Sequence, residues 1–151
     1  MIADAKRRLI YRQIFLEDIR NTSLATGAYD LVISSLAAEH LPCLQPLYRE
    51  VVRLLRSGGY FILLGYHPYF QLMGIPPHFD NVDTGEPIAI SNHIHLLSDF
   101  VTTGFDFGMP LVELDEYVVD EDWARRSEGM KKHVGHPISF LGLWRKLSEG
   151  Q

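Results

Sequence analysis

Residues 29–67 read YDLVISSLAAEHLPCLQPLYREVVRLLRSGGYFILLGYH, and the order of patterns inside them decides the fold. An apolar run, Leu31-Val32-Ile33, is followed by a short turn holding Glu39, His40 and Pro42. Leu44, Leu47, Tyr48, Val51, Val52 and Leu55 then recur at helical spacing, which predicts one buried helix face. Gly58-Gly59 stands where a helix stop is expected, because glycine takes the left-handed C-terminal position without a Cβ penalty. Tyr60-Phe61-Ile62-Leu63-Leu64 predicts a second buried strand. Two near-continuous apolar strands joined by a helix predict a parallel βαβ unit covered on both faces.

Outward from this unit, the bulk properties bound what the chain does. Its 151 residues suit one domain, 1–151, built on a single core. A net charge of −5 argues against general affinity for nucleic acid or for an anionic membrane surface, both of which rest on positive charge. No apolar run approaches the roughly 20 residues that span a bilayer. The N-terminus, Met1 to Arg8, lacks a signal-peptide apolar region, and a lone cysteine, Cys43, forbids an internal disulfide. Both features point to a cytoplasmic location.

The flanks divide into recognisable pieces. Residues 2–11 predict a short helix with a solvated basic face at Lys6-Arg7-Arg8, and Gln13 to Ile19 (QIFLEDI) predicts a short strand ending in acid. From His67 to Asn92 four prolines and two glycines break regularity, yet Tyr69, Phe70, Leu72, Met73, Ile75 and Phe79 fall within it. A long aromatic-rich loop after the C-terminal end of a parallel strand lies where open α/β sheets place ligands. The alternative is a loop packed on its own apolar cluster. Residues 92–103 predict a helix stopped by Gly104, and Met109 to Val119 predicts a strand. Residues 120–133 are polar and predict a short helix or loop, and Ile138 to Lys146 predicts the last strand.

Taken together, Asp30-Leu31-Val32, His40-Leu41, Glu50, Arg53, Leu55 and Gly58-Gly59 resemble the second half of the class I S-adenosylmethionine-dependent methyltransferases, in the small-molecule, type 11-like branch. The resemblance implies an α/β, Rossmann-like sheet that closes on a C-terminal antiparallel strand pair. It implies S-adenosylmethionine as cofactor, with Asp18 and Ile19 beside the adenine and Ser35, Leu36 and His40 at the cofactor side of the next strand. It implies a small-molecule substrate walled by Tyr66, Tyr69, Phe70 and Met73. His40 and His67 follow strands on the ligand side, and either suits a general base near neutral pH. For each, a packing or loop hydrogen-bonding role is the other reading.

Other chemistries find little footing. His93 and His95 are two apart, and such residues do not share a helix face. His78, Asp80 and Asp83 match neither calcium nor zinc spacing, so no metal site is expected. No nucleophile motif surrounds Cys43.

The family's glycine-rich turn, of the form D/E-x-G-x-G, has no counterpart in these residues. A βαβ unit takes roughly 30 residues or more, so its first two strands are expected to be absent and the sheet incomplete. The Leu31–Leu36 strand then becomes a long apolar edge, closed by the Ile14–Ile19 strand or by a second copy of the chain. A homodimer is expected. Two functions follow: a methyltransferase represented by its C-terminal two-thirds, or a non-catalytic methyltransferase-like domain acting through dimerisation or partner binding.

Overall fold

The structure, a computed structural model, describes residues 2–8, 10–74, 78–80, 84, 87–89 and 92–148. A four-stranded sheet carries it, in the order β1-β2-β6-β5: β1 is Tyr29–Ser35, β2 Leu55–Tyr66, β5 Leu111–Val118 and β6 Pro137–Arg145. β1 and β2 run parallel, with Ile33 beside Ile62 and Ser35 beside Leu64. β6 lies antiparallel between β2 and β5, so the predicted closing pair is present. A separate two-stranded hairpin joins β3, His78–Asp80, to β4, Pro87–Ala89. Ile75, Pro76 and Pro77 lie outside the described residues.

Helices α2 (Gln45–Leu54) and α4 (Leu97–Asp106) cover one sheet face. Leu47, Tyr48, Val51 and Leu54 give α2 its buried stripe, and Phe61, Leu63, Phe140 and Trp144 meet it from the sheet. Tyr48 stands edge-on to Phe61 and to Trp144, with ring centroids 5.5 and 5.9 Å apart, a preferred aromatic geometry. Its hydroxyl donates to the Phe100 carbonyl on α4 at 3.1 Å. The strand register places Leu31, Ile33, Ile62, Leu64, Leu141 and Leu143 together on the other face, where Leu31 and Ile33 are exposed.

Several elements depart from the sequence reading. Helix α2 ends at Leu54, four residues before the glycine pair, and β2 starts at once. The stop is supplied from far along the chain: the Lys146 ammonium donates to the Val52 and Leu55 carbonyls, each at 2.7 Å. A cation there satisfies orphan carbonyls and complements the helix dipole. Gly104 does not stop α4 but lies inside it; Gly108, at φ 67°, follows the helix end. Pro68 does not break a helix but opens α3, Pro68–Leu72, at a position where a missing N–H costs nothing. Residues 120–133 form α5, Glu121–Arg126, capped by Asp120, and a 3-10 turn at Glu128–His133. Finally, residues 13–18 are not a strand. Phe15 and Leu16 are exposed, and no strand pairs with them among the described residues. The N-terminal helix α1, Ile2–Arg8, is present.

Candidate functional site

Both parallel strands end on the same side, and there the chain changes character. At the end of β1, Leu36 has φ 51°, the one non-glycine residue in left-handed conformation among those described. Its N–H donates to the Leu64 carbonyl at 2.8 Å, so the strained residue is held by β2. Such strain costs about 1–2 kcal/mol and gathers at sites where the backbone is shaped for a task. A 3-10 turn, Ala38–His40, follows, with Glu39 buried. Burial pushes the Glu39 carboxyl up. The turn is tied to later chain: His93 N–H donates to the Glu39 carbonyl at 2.7 Å, and His95 Nε2 lies 2.8 Å from the Leu41 carbonyl. His40 lies exposed at the end of that turn.

A pocket of about 350 Å³ opens beside Leu36. Leu64 and Tyr66 from β2, Ile138 from β6, and Trp123 and Met130 from the segment between β5 and β6 wall it, with Ser127 and Ser139 as polar points. An apolar concavity with a few polar groups is the ordinary form of a small-molecule site. Trp123 and Met130 are absent from the sequence expectation, because they sit in a polar stretch with no local periodicity. The capping Asp120, three residues before Trp123, is the local signal that a helix starts there.

Of the four expected substrate residues, Tyr66 lines this pocket. Phe70 is buried instead with Val119 and Ile138, against Met130, and so supports the pocket wall from behind. Tyr69 and Met73 are exposed on or just after α3; the Tyr69 ring lies 5.5 Å from that of His136. His67 is the N-cap of α3: its Nδ1 accepts from the Tyr69 N–H at 3.1 Å, and its Nε2 lies 2.7 Å from Glu116 Oε1. A neutral ring in this arrangement carries its proton on Nε2 and donates it to the carboxylate. Both nitrogens are engaged, and the side chain is buried.

A second cavity, about 240 Å³, lies along the outer side of β1 against α2. Ile19, Ser35, Val32, Leu47, Val51 and Leu54 are among its lining residues, so two expected cofactor contacts, Ile19 and Ser35, meet there. Asp18 does not line it. Its carboxylate accepts from the Arg20 N–H, Nε and Nη2 at 2.6 to 3.1 Å, and these bonds hold it down at about 2. The cavity offers an apolar wall on the scale of an adenine ring. Its charged member is Glu50, already engaged by Thr22 and Arg53, and it has no cation to receive the methionyl carboxylate of S-adenosylmethionine. The lining of this cavity therefore fits the adenine end of that cofactor and not its amino-acid end.

A methyltransferase domain family model matches residues 1–63. Among curated proteins, the Hybrid PKS-NRPS synthetase mycA of Thermothelomyces thermophilus is 28% identical over 145 residues; the match covers 86% of this chain and 4% of that protein. The chain thus spans a small part of that relative's length. Among solved structures, an S-adenosylmethionine-dependent methyltransferase of Mesorhizobium loti superposes with a TM-score of 0.65 at 17% identity, over 85% of this chain and 67% of that one. Geranyl diphosphate C-methyltransferase of Streptomyces coelicolor, in complex with Mg2+, geranyl diphosphate and S-adenosyl-L-homocysteine, superposes with a TM-score of 0.59 at 13% identity, over 88% and 52% of the two chains. Its sheet has the Rossmann-like fold that these solved methyltransferases share, and the part of the chain up to the middle of β2 is similar to the methyltransferase domain family.

Proposed function

We propose that this chain is the acceptor-binding part of a methyltransferase that acts on a small, largely apolar molecule. The observation that carries the reading is the pocket at the C-terminal ends of β1 and β2, walled by Leu36, Tyr66, Trp123 and Met130. S-adenosylmethionine supplies a methyl group that is already activated, so the protein's task is alignment and exclusion of water. Leu36 and Leu64 would press on the apolar body of the acceptor, and Tyr66, Ser127 and Ser139 would orient a hydroxyl or amine. His40, four residues past Leu36, is the proposed base where the acceptor has to lose a proton. His67 would act by fixing α3, since both its ring nitrogens are engaged.

A second reading has the chain as a methyltransferase-like domain without catalysis, acting through dimerisation. It is supported by the poor fit of the second cavity to the amino-acid end of the cofactor. Calorimetry of the chain with S-adenosylmethionine separates the two. A Kd tighter than ~100 μM, about 5.5 kcal/mol, supports the enzyme; no heat at millimolar cofactor supports the second reading. Acceptor binding is tested independently with 1-naphthol, read by Trp123 fluorescence in a Trp144→Phe background. No quenching would sink the pocket assignment. The same reading keeps the chain in the cytoplasm; no described helix is long and apolar enough to cross a membrane.

A further inference from the structure

The pocket beside Leu36 has a neighbour. A cleft of about 490 Å³ lies along α5, lined by Asp120, Asp122, Trp123, Arg126 and Ser127. Trp123 and Ser127 line both hollows, so a single row of side chains, one helical turn apart, divides them. Asp122 and Arg126, the next row, line the cleft only. We propose that the cleft holds the tail of the molecule whose apolar body fills the pocket, and that this tail is an anion of the carboxylate kind, met by Arg126.

The present partners of the charged groups decide the sign of the tail. Asp120 accepts from the Trp123 N–H at 2.7 Å as the cap of α5. Asp122 is paired with Arg125. Arg126 makes no ion pair or hydrogen bond among the described residues, although it stands one turn after Asp122. Both carboxylates are thus engaged, and the guanidinium is the free charge of the cleft. Its N–H donors lie in a planar fork that matches a carboxylate. An ammonium tail would have to draw Asp122 from Arg125 or Asp120 from the helix it caps, and each loss opposes binding.

The wall between the two hollows is fastened to the sheet. Val119 N–H donates to the His136 carbonyl at 3.0 Å, and Gly135 N–H donates to the Val119 carbonyl at 2.9 Å, which closes the neck of segment 120–135. Within the segment, Ala124 of α5 is buried, and Met130 packs against Phe70, Val119 and Ile138. Arg126 is therefore carried at a set place relative to the pocket. The inference rests on the reading of that pocket as the acceptor site. It narrows the acceptor from an apolar molecule to an amphipathic acid, apolar at the end that fills the pocket and anionic at the other.

The test compares two ligands of one shape, 4-(1-naphthyl)butanoate and its amide, by calorimetry at neutral pH with the chain of residues 1–151. The acid is expected to bind at least about threefold tighter than the amide, the size of an exposed ion pair. That advantage is expected to vanish in roughly 0.5 M sodium chloride, where screening is short-ranged. Arg126→Gln is expected to make the two ligands equal, and Arg126→Glu to favour the amide, with amide affinity unchanged in both. Lys132→Gln, which removes a charge of the same segment outside both hollows, is expected to keep the preference for the acid. Equal affinities in the parent, or a preference for the acid that survives Arg126→Gln, would overturn the proposal and leave the pocket reading in place. If neither ligand binds, the pocket reading falls and the proposal with it.

Discussion

Gly104 on α4 lies so close to Trp144 on β6 that a Cβ built on it would stand 2.5 Å from the indole Nε1 and 2.8 Å from the Met109 carbonyl. The helix rests on the sheet at this point, and the indole fills the room that a side chain would need. Trp144 is fully buried and touches Tyr48 and Phe61, so it cannot swing away cheaply.

Gly104→Ala is therefore expected to destabilise the fold by about 1–3 kcal/mol through overpacking, despite alanine's better helix propensity. Gly129→Ala, where a Cβ meets nothing within 4 Å, should stay within about 0.5 kcal/mol of the parent. Urea unfolding of the pair checks it. Equal midpoints would mean that α4 is not seated as described.

The second expectation concerns the end of α2. Lys146 reaches two carbonyls across more than ninety residues of chain, part-buried, at 2.7 Å. Lys146→Met keeps much of the stem and removes the charged donor, leaving both oxygens without that donor. A loss of roughly 1.5–3 kcal/mol is expected, the range for hydrogen bonds to charged groups. Lys131→Met, which removes an exposed ion pair with Glu128, should cost less than about 1 kcal/mol. Thermal unfolding of the two variants side by side decides between them.

These two contacts also explain what the sequence could and could not tell. The βαβ unit and the closing strand pair were legible because periodicity in Leu47–Leu55, Tyr60–Leu64 and Ile138–Lys146 is local. The end of α2 was not, because Gly58-Gly59 looks like a stop while the actual donor is Lys146. Gly104 likewise reads as a stop, and only its neighbour Trp144, forty residues on, shows that it is a packing glycine. Residues 13–18 have a strand's composition, but a strand needs a ladder partner, and composition cannot supply one. At the candidate site, Tyr66 was expected on the substrate side from its place at the end of β2, whereas Leu36 was expected on the cofactor side and lines the same pocket as Tyr66. Trp123 and Met130 were not expected, since they line the pocket from a polar stretch without local periodicity, Met130 by packing against Phe70 and Ile138.

Acid sensitivity is the third expectation, and it rests on Glu50. This buried carboxylate accepts from Arg53 Nε and Nη2 and from the Thr22 N–H and hydroxyl, at 2.6 to 2.8 Å. Arg53 in turn holds the Thr22 and Leu24 carbonyls, so the pair fastens residues 22–26 to α2. These bonds, that from Arg53 foremost, draw the Glu50 carboxyl from 4.5 down to about 2. Because the folded value lies below the unfolded one, the unfolded chain binds the proton more readily. The stabilisation is present above about pH 5 and is lost as pH falls toward 2, a total on the order of 3 kcal/mol. Glu50→Gln should lower stability at pH 7 and flatten its fall between pH 5 and 2. Chemical denaturation at intervals across that window is the measurement. A variant as acid-sensitive as its parent would count against the assignment.

Leu36 offers the sharpest separation of binding from stability. Leu36→Gly relieves a left-handed backbone worth roughly 1–2 kcal/mol but adds about 0.5–1 kcal/mol of chain entropy in the unfolded state. The side chain is 42% exposed, so little burial is lost. Overall stability should thus move by less than about 1 kcal/mol, whereas the pocket loses one of its apolar walls. Affinity for 1-naphthol, read by Trp123 fluorescence, is expected to fall at least tenfold, about 1.4 kcal/mol. Leu63→Ala makes the opposite case: the side chain is fully buried on the other sheet face, and its loss should cost about 2–5 kcal/mol of stability. Binding by whatever fraction stays folded should be unchanged. If Leu36→Gly retained full affinity, the strain at the end of β1 would serve the turn alone and not the pocket.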